Sequence, residues 1–409
     1  MTAVQGHPSR QLPGVARPHI GDVGGMSEAH MTFGFSDEQR QMRESVLGLL
    51  RRVLPPAKIR ELDKAGEYPF EACRALAEGG YMGLMYPPQY GGMGGSYMDL
   101  AVLGEALGYH YGGIAQAYGI TVIYAGMHIA LHGSEEMKRE VLPRIISGDM
   151  RLALCLSEPD HGSDVAGIEL AAVRDGGAYV LNGQKIYNSA AHVAHNLVVV
   201  AKTRPGRGYD GISMFLVDAT LPGLAIRRLS ALGRHTTEAN HCFFENVRVP
   251  ADRIIGEENS GWRGLMKCLN VERLNLAANG VGNTRRILEH VLDYAKTRQQ
   301  FGRPIGKFQA VSHKLAEMEM MWQTARAQTF RVAQMLDAGL DPVCENAVAK
   351  AYATEVNWKV ADMAMQIMAG AGYIMDQDMQ MMFRDARVGM IGGGTSEIQR
   401  NVIARCMGL

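Results

Sequence analysis

The stretch HCFFENVRV at residues 241–249 places Phe243, Val247 and Val249 at alternating positions, which is the spacing of a strand with one buried face. Other short runs of β-branched residues, each bounded by turn signals, follow one another through residues 151–250. This segment is therefore predicted to be all-β.

Apolar residues recur at helical spacing on both sides of the β segment. The first predicted helix begins at Ser36, which can cap it, and ends before Pro55. The helical pattern returns after Asp252 and continues to the last residue. The order of helices, strands and helices predicts an α+β fold. The predicted domains are residues 33–150, 151–250 and 251–409.

Composition and charge exclude several classes of protein. The 409 residues give a mass of 44.6 kDa, which is long for one domain and excludes a small disulfide-stapled scaffold. The 42 basic residues are balanced by 42 acidic ones, which argues against a nucleic-acid-binding protein. The six cysteines are far apart and form no C-x-x-C pair, so we expect neither a disulfide framework nor a metal site.

Residues 1–32 are rich in Gly, Pro and His and lack the apolar core of a secretory signal, so we predict a disordered extension. A mitochondrial presequence is disfavoured because Pro8, Pro13 and Pro18 would break its amphipathic helix. No apolar run in the sequence is expected to reach the roughly 18 residues of a membrane span. We therefore expect a cytoplasmic protein without a membrane span.

A carboxylate lies in the apolar stripe of the helix predicted over residues 264–283. At about 100° per residue, Leu265, Leu269 and Leu276 fall on one narrow stripe, and Glu272 falls within it. Burial disfavours the charged form of a carboxyl group and raises its pKa, which suits a proton acceptor at neutral pH. Glu272 is therefore a candidate catalytic base. The alternative is that it pairs with a buried Arg of another helix and only fixes packing.

Two further segments combine glycines with hydroxyl side chains. LSEPDHGSD at residues 156–164 can donate hydrogen bonds to a heteroaromatic ring or a phosphate, although the same string also suits an ordinary turn. In GGGTSE at residues 392–397, three glycines precede a capped helix whose free N–H groups can bind a ligand. The alternative here is a flexible turn between two helices.

Six separated strings resemble, in order and spacing, the motifs of the flavin-dependent acyl-CoA dehydrogenase family. They are LSEPDHGSD (156–164), LNGQKIYNS (181–189), RQQFG (298–302), QIMAGAGY (366–373), FRDARV (383–388) and GGGTSEIQR (392–400). The likeness covers about residues 33–409. Tyr187 replaces the usual Trp and Ser189 the usual Thr, and both keep the expected chemistry, an aromatic face and a hydroxyl donor.

The resemblance implies a fold, a cofactor and an assembly. The expected fold is an N-terminal helical domain, a middle β-barrel-like domain and a C-terminal domain of the four-helix-bundle type. FAD would lie between the β domain and the C-terminal helices. Residues of one subunit would reach the FAD of a neighbour, which implies a homotetramer.

The resemblance also implies which residues contact FAD and acyl-CoA. The implied cofactor contacts are Leu156, Ser157, Ser163, Tyr187, Ser189, Arg298, Gln309, Gln366, Gly370, Thr395 and Glu397. Among them, Arg298, Gln309 and the stretch 366–370 would reach the FAD of a neighbouring subunit. Without the family, they would be interpreted as a solvated helix end and core amides. The implied substrate contacts are Ser163, Asn270, Arg273 and Gly394.

The position of the catalytic base departs from the commonest family pattern. Most members carry a Glu two residues before the Thr of the glycine turn, where this chain has Gly393. A subgroup that includes isovaleryl-CoA and long-chain acyl-CoA dehydrogenases instead carries Glu followed by Arg on a helix, as in Glu272–Arg273. The resemblance thus implies that Glu272 is the base and that the backbone N–H of Gly393 donates to the thioester carbonyl.

The implied reaction is α,β-desaturation of an acyl-CoA thioester. Glu272 would remove the α-proton, the β-hydride would go to flavin N5, and the electrons would pass to an electron-transfer flavoprotein. Two alternatives remain open from the sequence. One is an acyl-CoA oxidase on the same fold, which passes electrons to oxygen. The other is a flavin-binding subunit of a heteromeric dehydrogenase that has no base of its own.

Overall fold

Residues 34–206 and 208–409 are described by a computed structural model. The predicted disordered extension, residues 1–32, lies outside the described residues. The chain divides into two units, residues 1–36 and 37–409, and all helices and strands given below belong to the second unit.

Within residues 34–206, seven α-helices precede the sheet. They are α1 (Asp37–Val53), α2 (Pro56–Ala65), α3 (Phe70–Glu78), α4 (Tyr97–His110), α5 (Gly112–Tyr118), α6 (Met127–His132) and α7 (Glu135–Ile146). The start of α4 is set by a capping box. The Asp99 N–H donates to Ser96 Oγ at 3.1 Å, and the Ser96 N–H donates to Asp99 Oδ2 at 2.8 Å.

One apolar helical run, Gly112–His132, joins α5 and α6 through a π-helical stretch at Gly119–Gly126. It is 21 residues long, and its most apolar 18-residue window has a mean hydropathy of 1.4, so this one segment reaches a length and apolarity that no run was expected to reach. However, 89% of its most apolar window is buried inside the fold. Its apolar character is accounted for by the core of the protein.

Eight strands of the described chain form one sheet after α7. They are β1 (Leu152–Cys155), β2 (Ala171–Asp175), β3 (Ala178–Lys185), β4 (Asn196–Lys202), β5 (Ile212–Asp218), β6 (Leu224–Arg228), β7 (Asn240–Pro250) and β8 (Ile254–Ile255). β4 lies inside the sheet between neighbours on both sides, and its residues from Leu197 to Lys202 are all buried. This explains why residues 197–201 within it are continuously apolar rather than alternating.

The sheet does not close on itself. Its strand order is β6-β7-β3-β2-β4-β5-β8, and β1 pairs in parallel with β4 beside this path. The end strands β6 and β8 form no ladder with each other among the described residues, so the predicted barrel is not confirmed. β8 has only two residues, Ile254 and Ile255, and both already pair with β5. The sheet therefore also continues past the predicted domain boundary at residue 250.

The helical pattern predicted after the sheet is confirmed. In the described chain these helices are α8 (Gly261–Thr297), α9 (Gln309–Asp337), α10 (Val343–Met368), α11 (Gly370–Tyr373), α12 (Asp378–Arg387) and α13 (Ser396–Cys406), with a small hairpin of β9 (Gln299–Gln300) and β10 (Arg303–Pro304) after α8. α8 packs on α9 and α10, and the shorter α12 and α13 pack on α10.

The long helix α8 also packs along α4, which ties the N-terminal and C-terminal helices together. A Cβ atom on Gly282 of α8 would lie only 2.0 Å from the backbone oxygen of Glu105 on α4. A buried ion pair reinforces this region, since Arg326 of α9 donates to both carboxylate oxygens of Glu105 at 2.6 and 3.1 Å. The helix that carries Glu272 thus lies against α4, which is itself tied to α9.

Candidate active site

Glu272 lies near the middle of α8, on the apolar stripe expected from its spacing. Leu265 and Leu276 of that stripe are buried, Leu269 is half-buried, and Glu272 is 9% exposed. Neither of its oxygens has a hydrogen-bond or ion-pair partner among residues 34–206 and 208–409. The packing alternative, in which an Arg of another helix pairs with Glu272, is therefore not observed. An unpaired carboxylate at this depth is costly and is a functional-site candidate.

Burial changes the proton affinity of this carboxylate. It raises the pKa of Glu272 from 4.5 to about 7, and the positive charges of Arg273 and Lys350 act in the opposite direction. Arg273 itself is turned to Asn270, whose Oδ1 accepts from Arg273 Nη1 at 3.0 Å. Asn270 is further fixed from α10, because Asn346 Nδ2 donates to its backbone oxygen at 2.8 Å. The carboxylate can therefore exchange a proton near neutral pH.

The glycine turn before α13 is held by its carbonyl oxygens. Gly393 and Gly394 have φ of +64° and +85°, which a residue with a side chain rarely adopts. Lys350 Nζ donates to the Gly394 oxygen at 2.6 Å, and Gln399 Nε2 donates to the Gly393 oxygen at 3.1 Å. The N–H groups of Gly393 and Gly394 have no acceptor among the described residues. Thr395 caps α13 by accepting from the Ile398 N–H at 3.2 Å.

The base candidate and the glycine turn meet in space although they are far apart in sequence. A Cβ atom built on Gly393 would lie 3.3 Å from Glu272 Oε1 and 2.3 Å from Leu276 Cδ1. A side chain at position 393 would therefore require Leu276, one turn beyond Glu272 on α8, to shift. The glycine lets the turn approach the Glu272 carboxylate closely.

A second group of predicted residues comes together at one end of the sheet. Leu156 and Ser157 follow β1, and the Ser157 oxygen accepts from the Ile186 N–H at 2.9 Å. Lys185 is fully buried and donates to the Leu156 oxygen at 2.8 Å and to Glu158 Oε1 at 2.7 Å. These bonds place the loop after β1 beside the segment that carries Tyr187 and Ser189.

The side chains of this second group are available to a ligand. Tyr187 has a left-handed backbone with φ of +62° and is 66% exposed, which is unusual for a large aromatic residue. Ser157 and Ser189 are half-buried, and Ser163 is exposed in the loop that follows. An exposed aromatic face beside several hydroxyls fits a planar heteroaromatic ring.

The remaining predicted cofactor contacts lie at exposed positions. Arg298, Gln309, Gln366 and Gly370 are all exposed, at the ends of α8 and α10 and at the start of α9 and α11. Glu397 is exposed in the first turn of α13, whose N-terminal end carries the glycine turn. The roles of these residues stay predictions.

Three functional candidates were missed from the sequence. Lys350 and Gln399 hold the glycine turn, and both are fully buried. Tyr124 lies in the π-helical stretch, where its hydroxyl accepts from Asn275 Nδ2 at 3.1 Å and its pKa is raised by burial and then by the negative charge of Glu272. The one available signal was the position of Lys350 between two alanines of α10.

These two groups of residues fit a flavin dinucleotide. The free N–H groups of Gly393 and Gly394 stand at the N-terminal end of α13, which suits an oxygen or phosphate acceptor. The aromatic face of Tyr187 and the nearby hydroxyls suit the ring system. The groups that could contact a ligand are backbone N–H groups, hydroxyls and one aromatic ring, which suit an organic cofactor.

Family models match nearly the whole chain. The N-terminal domain of acyl-CoA dehydrogenase matches residues 36–149, the middle domain matches residues 153–247, and the C-terminal domain matches residues 259–408.

Individual relatives agree with these matches. The chain is 34% identical to an acyl-CoA dehydrogenase of Bacillus subtilis, over 90% of this chain and 98% of the relative. It is 34% identical to the mitochondrial isovaleryl-CoA dehydrogenase of Oryza sativa subsp. japonica, over 97% of both chains. It is 32% identical to the caffeyl-CoA reductase-Etf complex subunit CarC of Acetobacterium woodii, over 90% of this chain and 98% of the relative.

Solved structures show the same architecture. Butyryl-CoA dehydrogenase from Megasphaera elsdenii superposes with a TM-score of 0.88 at 30% identity, covering 93% of this chain and all of that one. The FAD complex of PigA superposes with a TM-score of 0.88 at 29% identity and the same coverage. The chain therefore belongs to the acyl-CoA dehydrogenase family of FAD-dependent oxidoreductases.

Proposed function

We propose that this protein desaturates the α,β carbon–carbon bond of an acyl-CoA thioester, with Glu272 as the catalytic base. The observation that carries the proposal is the Glu272 carboxylate. It is unpaired among the described residues, its pKa is raised to about 7, and it faces the glycine turn at Gly393. A general base is most effective when its pKa lies near the working pH.

The reaction removes two hydrogens from neighbouring carbons. The α C–H bond breaks and its proton goes to the Glu272 carboxylate, while its electron pair forms the new double bond as hydride leaves the β-carbon. FAD, when bound, supplies the acceptor for that hydride and its two electrons. The Gly393 N–H donates to the thioester oxygen, where negative charge develops, and such a donor contributes about 3 to 4 kcal/mol in comparable enzymes.

We assign the contacts with FAD to two sets of residues. Leu156, Ser157, Ser163, Tyr187 and Ser189 would contact it from the sheet, with Thr395 and Glu397 at the start of α13. The exposed Arg298, Gln309, Gln366 and Gly370 would reach the FAD of a neighbouring subunit, and we propose a homotetramer on that ground. Arg273, Asn270 and Gly394 would lie along the substrate, together with Ser163.

The substitution Glu272→Gln tests the role of the base. It keeps the shape of the side chain but removes the proton acceptor, so we expect the variant to bind FAD and acyl-CoA and to reduce the flavin at least about a hundredfold more slowly. The measurement is stopped-flow bleaching of the flavin absorbance in a single turnover.

Glu317→Gln serves as the matched control, because Glu317 is a half-exposed carboxylate on α9 that pairs with Lys359 at the surface. This control should reduce flavin at the parental rate. If Glu272→Gln also kept the parental rate, the assignment of the base would be wrong.

We propose an electron-transfer flavoprotein as the electron acceptor and the cytoplasm as the location. The acceptor is supported by the relative that is a subunit of a reductase-Etf complex. The test compares how fast the reduced flavin is reoxidised by oxygen and by an electron-transfer flavoprotein. A dehydrogenase is reoxidised faster by the flavoprotein, and an oxidase is reoxidised faster by oxygen.

A further inference from the structure

Arg234 reaches from the sheet domain toward the helices that carry the site. It lies in the loop between β6 and β7 with a left-handed backbone, φ +55°, which is uncommon for a residue other than glycine. Its N–H donates to Asp385 Oδ1 of α12 at 2.5 Å. Its side chain extends to α5, where Nη1 donates to Gln116 Oε1. The backbone contact thus anchors the loop while the guanidinium points into the protein.

The guanidinium of Arg234 has no carboxylate partner. In the part of the chain that the structure describes, Gln116 Oε1 is its single acceptor, and Nε and Nη2 have none. The Asp385 oxygen that lies closest binds the backbone N–H of Arg234 instead. Burial lowers the pKa of Arg234, although Tyr124 and Asp385 act against this. A partly buried cation with a free edge of donors is suited to a carboxylate, which Arg can bind through two parallel hydrogen bonds.

Two uncharged donors stand near the same guanidinium. The Tyr124 hydroxyl lies about one helical turn beyond Gln116, since a Cβ atom on Gly119 would lie 2.7 Å from it. The charges of Glu272 and Arg234 both act on its pKa. This hydroxyl accepts from Asn275 Nδ2 at 3.1 Å, and its own proton has no acceptor among the described residues. Gln116 uses Oε1 for Arg234, which leaves its amide N–H groups free. Tyr124 and Gln116 are 7% and 6% exposed.

The geometry points to an anion subsite at the far end of the acyl-binding region. We propose that Arg234, Tyr124 and Gln116 bind a second carboxylate on the acyl group, so that the preferred substrates are CoA monothioesters of dicarboxylic acids. The inference rests on the proposed function, because it assumes that the thioester end lies between Glu272 and Gly393. It adds the substrate class, which the family does not determine.

The test compares substrates of equal chain length with and without the distal carboxylate. Adipyl-CoA is paired with hexanoyl-CoA, and suberyl-CoA with octanoyl-CoA, and flavin reduction by the FAD-loaded protein is measured for each. We expect at least one dicarboxylic thioester to be favoured about tenfold or more in kcat/KM over its partner. Arg234→Met should lower that ratio by about tenfold or more, and Tyr124→Phe should lower it by a smaller factor.

Arg248→Met is the matched control, because Arg248 is an exposed arginine of β7 that pairs with Asp175 at the surface. It should leave the ratio unchanged. The proposal is overturned if neither adipyl-CoA nor suberyl-CoA is favoured over its partner in the parent protein, or if Arg234→Met changes both members of a pair equally.

Binding to the Glu272→Gln variant separates this inference from the proposed function. Isothermal titration of that variant with adipyl-CoA and hexanoyl-CoA reports the carboxylate preference without turnover. If no acyl-CoA reduces the flavin of the parent protein but the titration still favours adipyl-CoA, the proposed reaction fails and the subsite stands. Equal affinities, together with flavin reduction in the parent protein, overturn the subsite alone.

Discussion

At the scale of single residues, Lys350 couples the base to the glycine turn. It is fully buried on α10 and donates to the Gly394 oxygen at 2.6 Å. Burial lowers the pKa of Lys350 to about 8, against the attraction of Glu272. The same positive charge lowers the pKa of Glu272, which burial alone would raise further. One ammonium group therefore fixes the turn and favours the ionised base.

We predict that the rate of flavin reduction follows the titration of Glu272. Only the ionised carboxylate can accept the α-proton, so the single-turnover rate should rise as the pH passes about 7. Lys350→Met removes the charge that favours ionisation, and the midpoint of this profile should move to higher pH. The measurement is stopped-flow flavin reduction between pH 5 and 9, about two units on each side of the expected midpoint.

Lys359→Met is the control for that experiment, because Lys359 lies on the same helix but is exposed and paired with Glu317. The pH midpoint of flavin reduction by Lys359→Met should equal that of the parent protein. A Lys350→Met variant that only loses stability, with an unmoved midpoint, would show that Lys350 acts on the turn alone.

The sequence could identify Glu272 but not the residues that support it. The position of Glu272 follows from helical spacing, because a carboxylate inside an apolar stripe stands out locally. Lys350 and Arg234 do not stand out in this way, since a basic residue in a helix or a loop is usually solvated. Their roles depend on which distant elements pack beside them.

At the scale of elements, the approach of α8 to α4 fixes where Glu272 stands. The two helices touch through glycines, since a Cβ atom on Gly108 of α4 would lie 2.3 Å from the Asn279 oxygen of α8. In the other direction, a Cβ atom on Gly282 of α8 would lie 2.0 Å from the Glu105 backbone oxygen of α4. Small residues on both helices allow this distance, and larger ones would push α8 away from the glycine turn.

We therefore predict opposite effects for two glycines that lie two residues apart on α8. Gly282→Ala introduces a methyl group 2.0 Å from a backbone oxygen and should destabilise the protein by about 1 to 3 kcal/mol. Gly280→Ala places its methyl at an ordinary contact distance, 3.4 Å from the Ala353 oxygen. It should be neutral or stabilising by up to about 1 kcal/mol, because alanine favours a helix.

Thermal unfolding of the FAD-loaded variants measures both effects. Equal melting temperatures for the two variants would show that the close approach of α4 and α8 is not needed for stability.

The strands were predictable as elements, but their closure was not. Alternation and β-branched runs predict β4, β5 and β7 because they depend on local burial. Closure of a barrel depends on how far the end strands extend and with what they pair. β8 has two residues that pair with β5, and no local pattern could show that the sheet ends there.

At the scale of the whole molecule, the C-terminal part exposes several large apolar side chains. Phe301 is 92% exposed, Tyr373 is 79% exposed and Met375 is 66% exposed. They lie in the same two chain segments as the exposed Arg298 and Gln366, for which a role at a neighbouring FAD is proposed. Exposed apolar groups beside polar ones are typical of an interface between subunits.

We predict a mass of four chains by light scattering in solution. Phe301→Asp should reduce this mass and weaken retention of FAD, since both would depend on the same contact. Met93→Asp changes an exposed apolar residue of the N-terminal part, 55% exposed, and should leave the mass and the FAD content unchanged. A parent protein that elutes as a single chain with FAD bound would contradict the proposed sharing of the cofactor.

During synthesis, the apolar run Gly112–His132 leaves the ribosome long before α8, which packs against it in the finished protein. Roughly 130 residues separate the end of that run from the start of α8, so at typical translation speeds the delay is on the order of ten seconds. For that time a segment with the composition of a membrane span lacks one of its final neighbours. We expect the nascent chain to need a chaperone at this stage. The folded protein does not need one for this segment, because the helix is then buried.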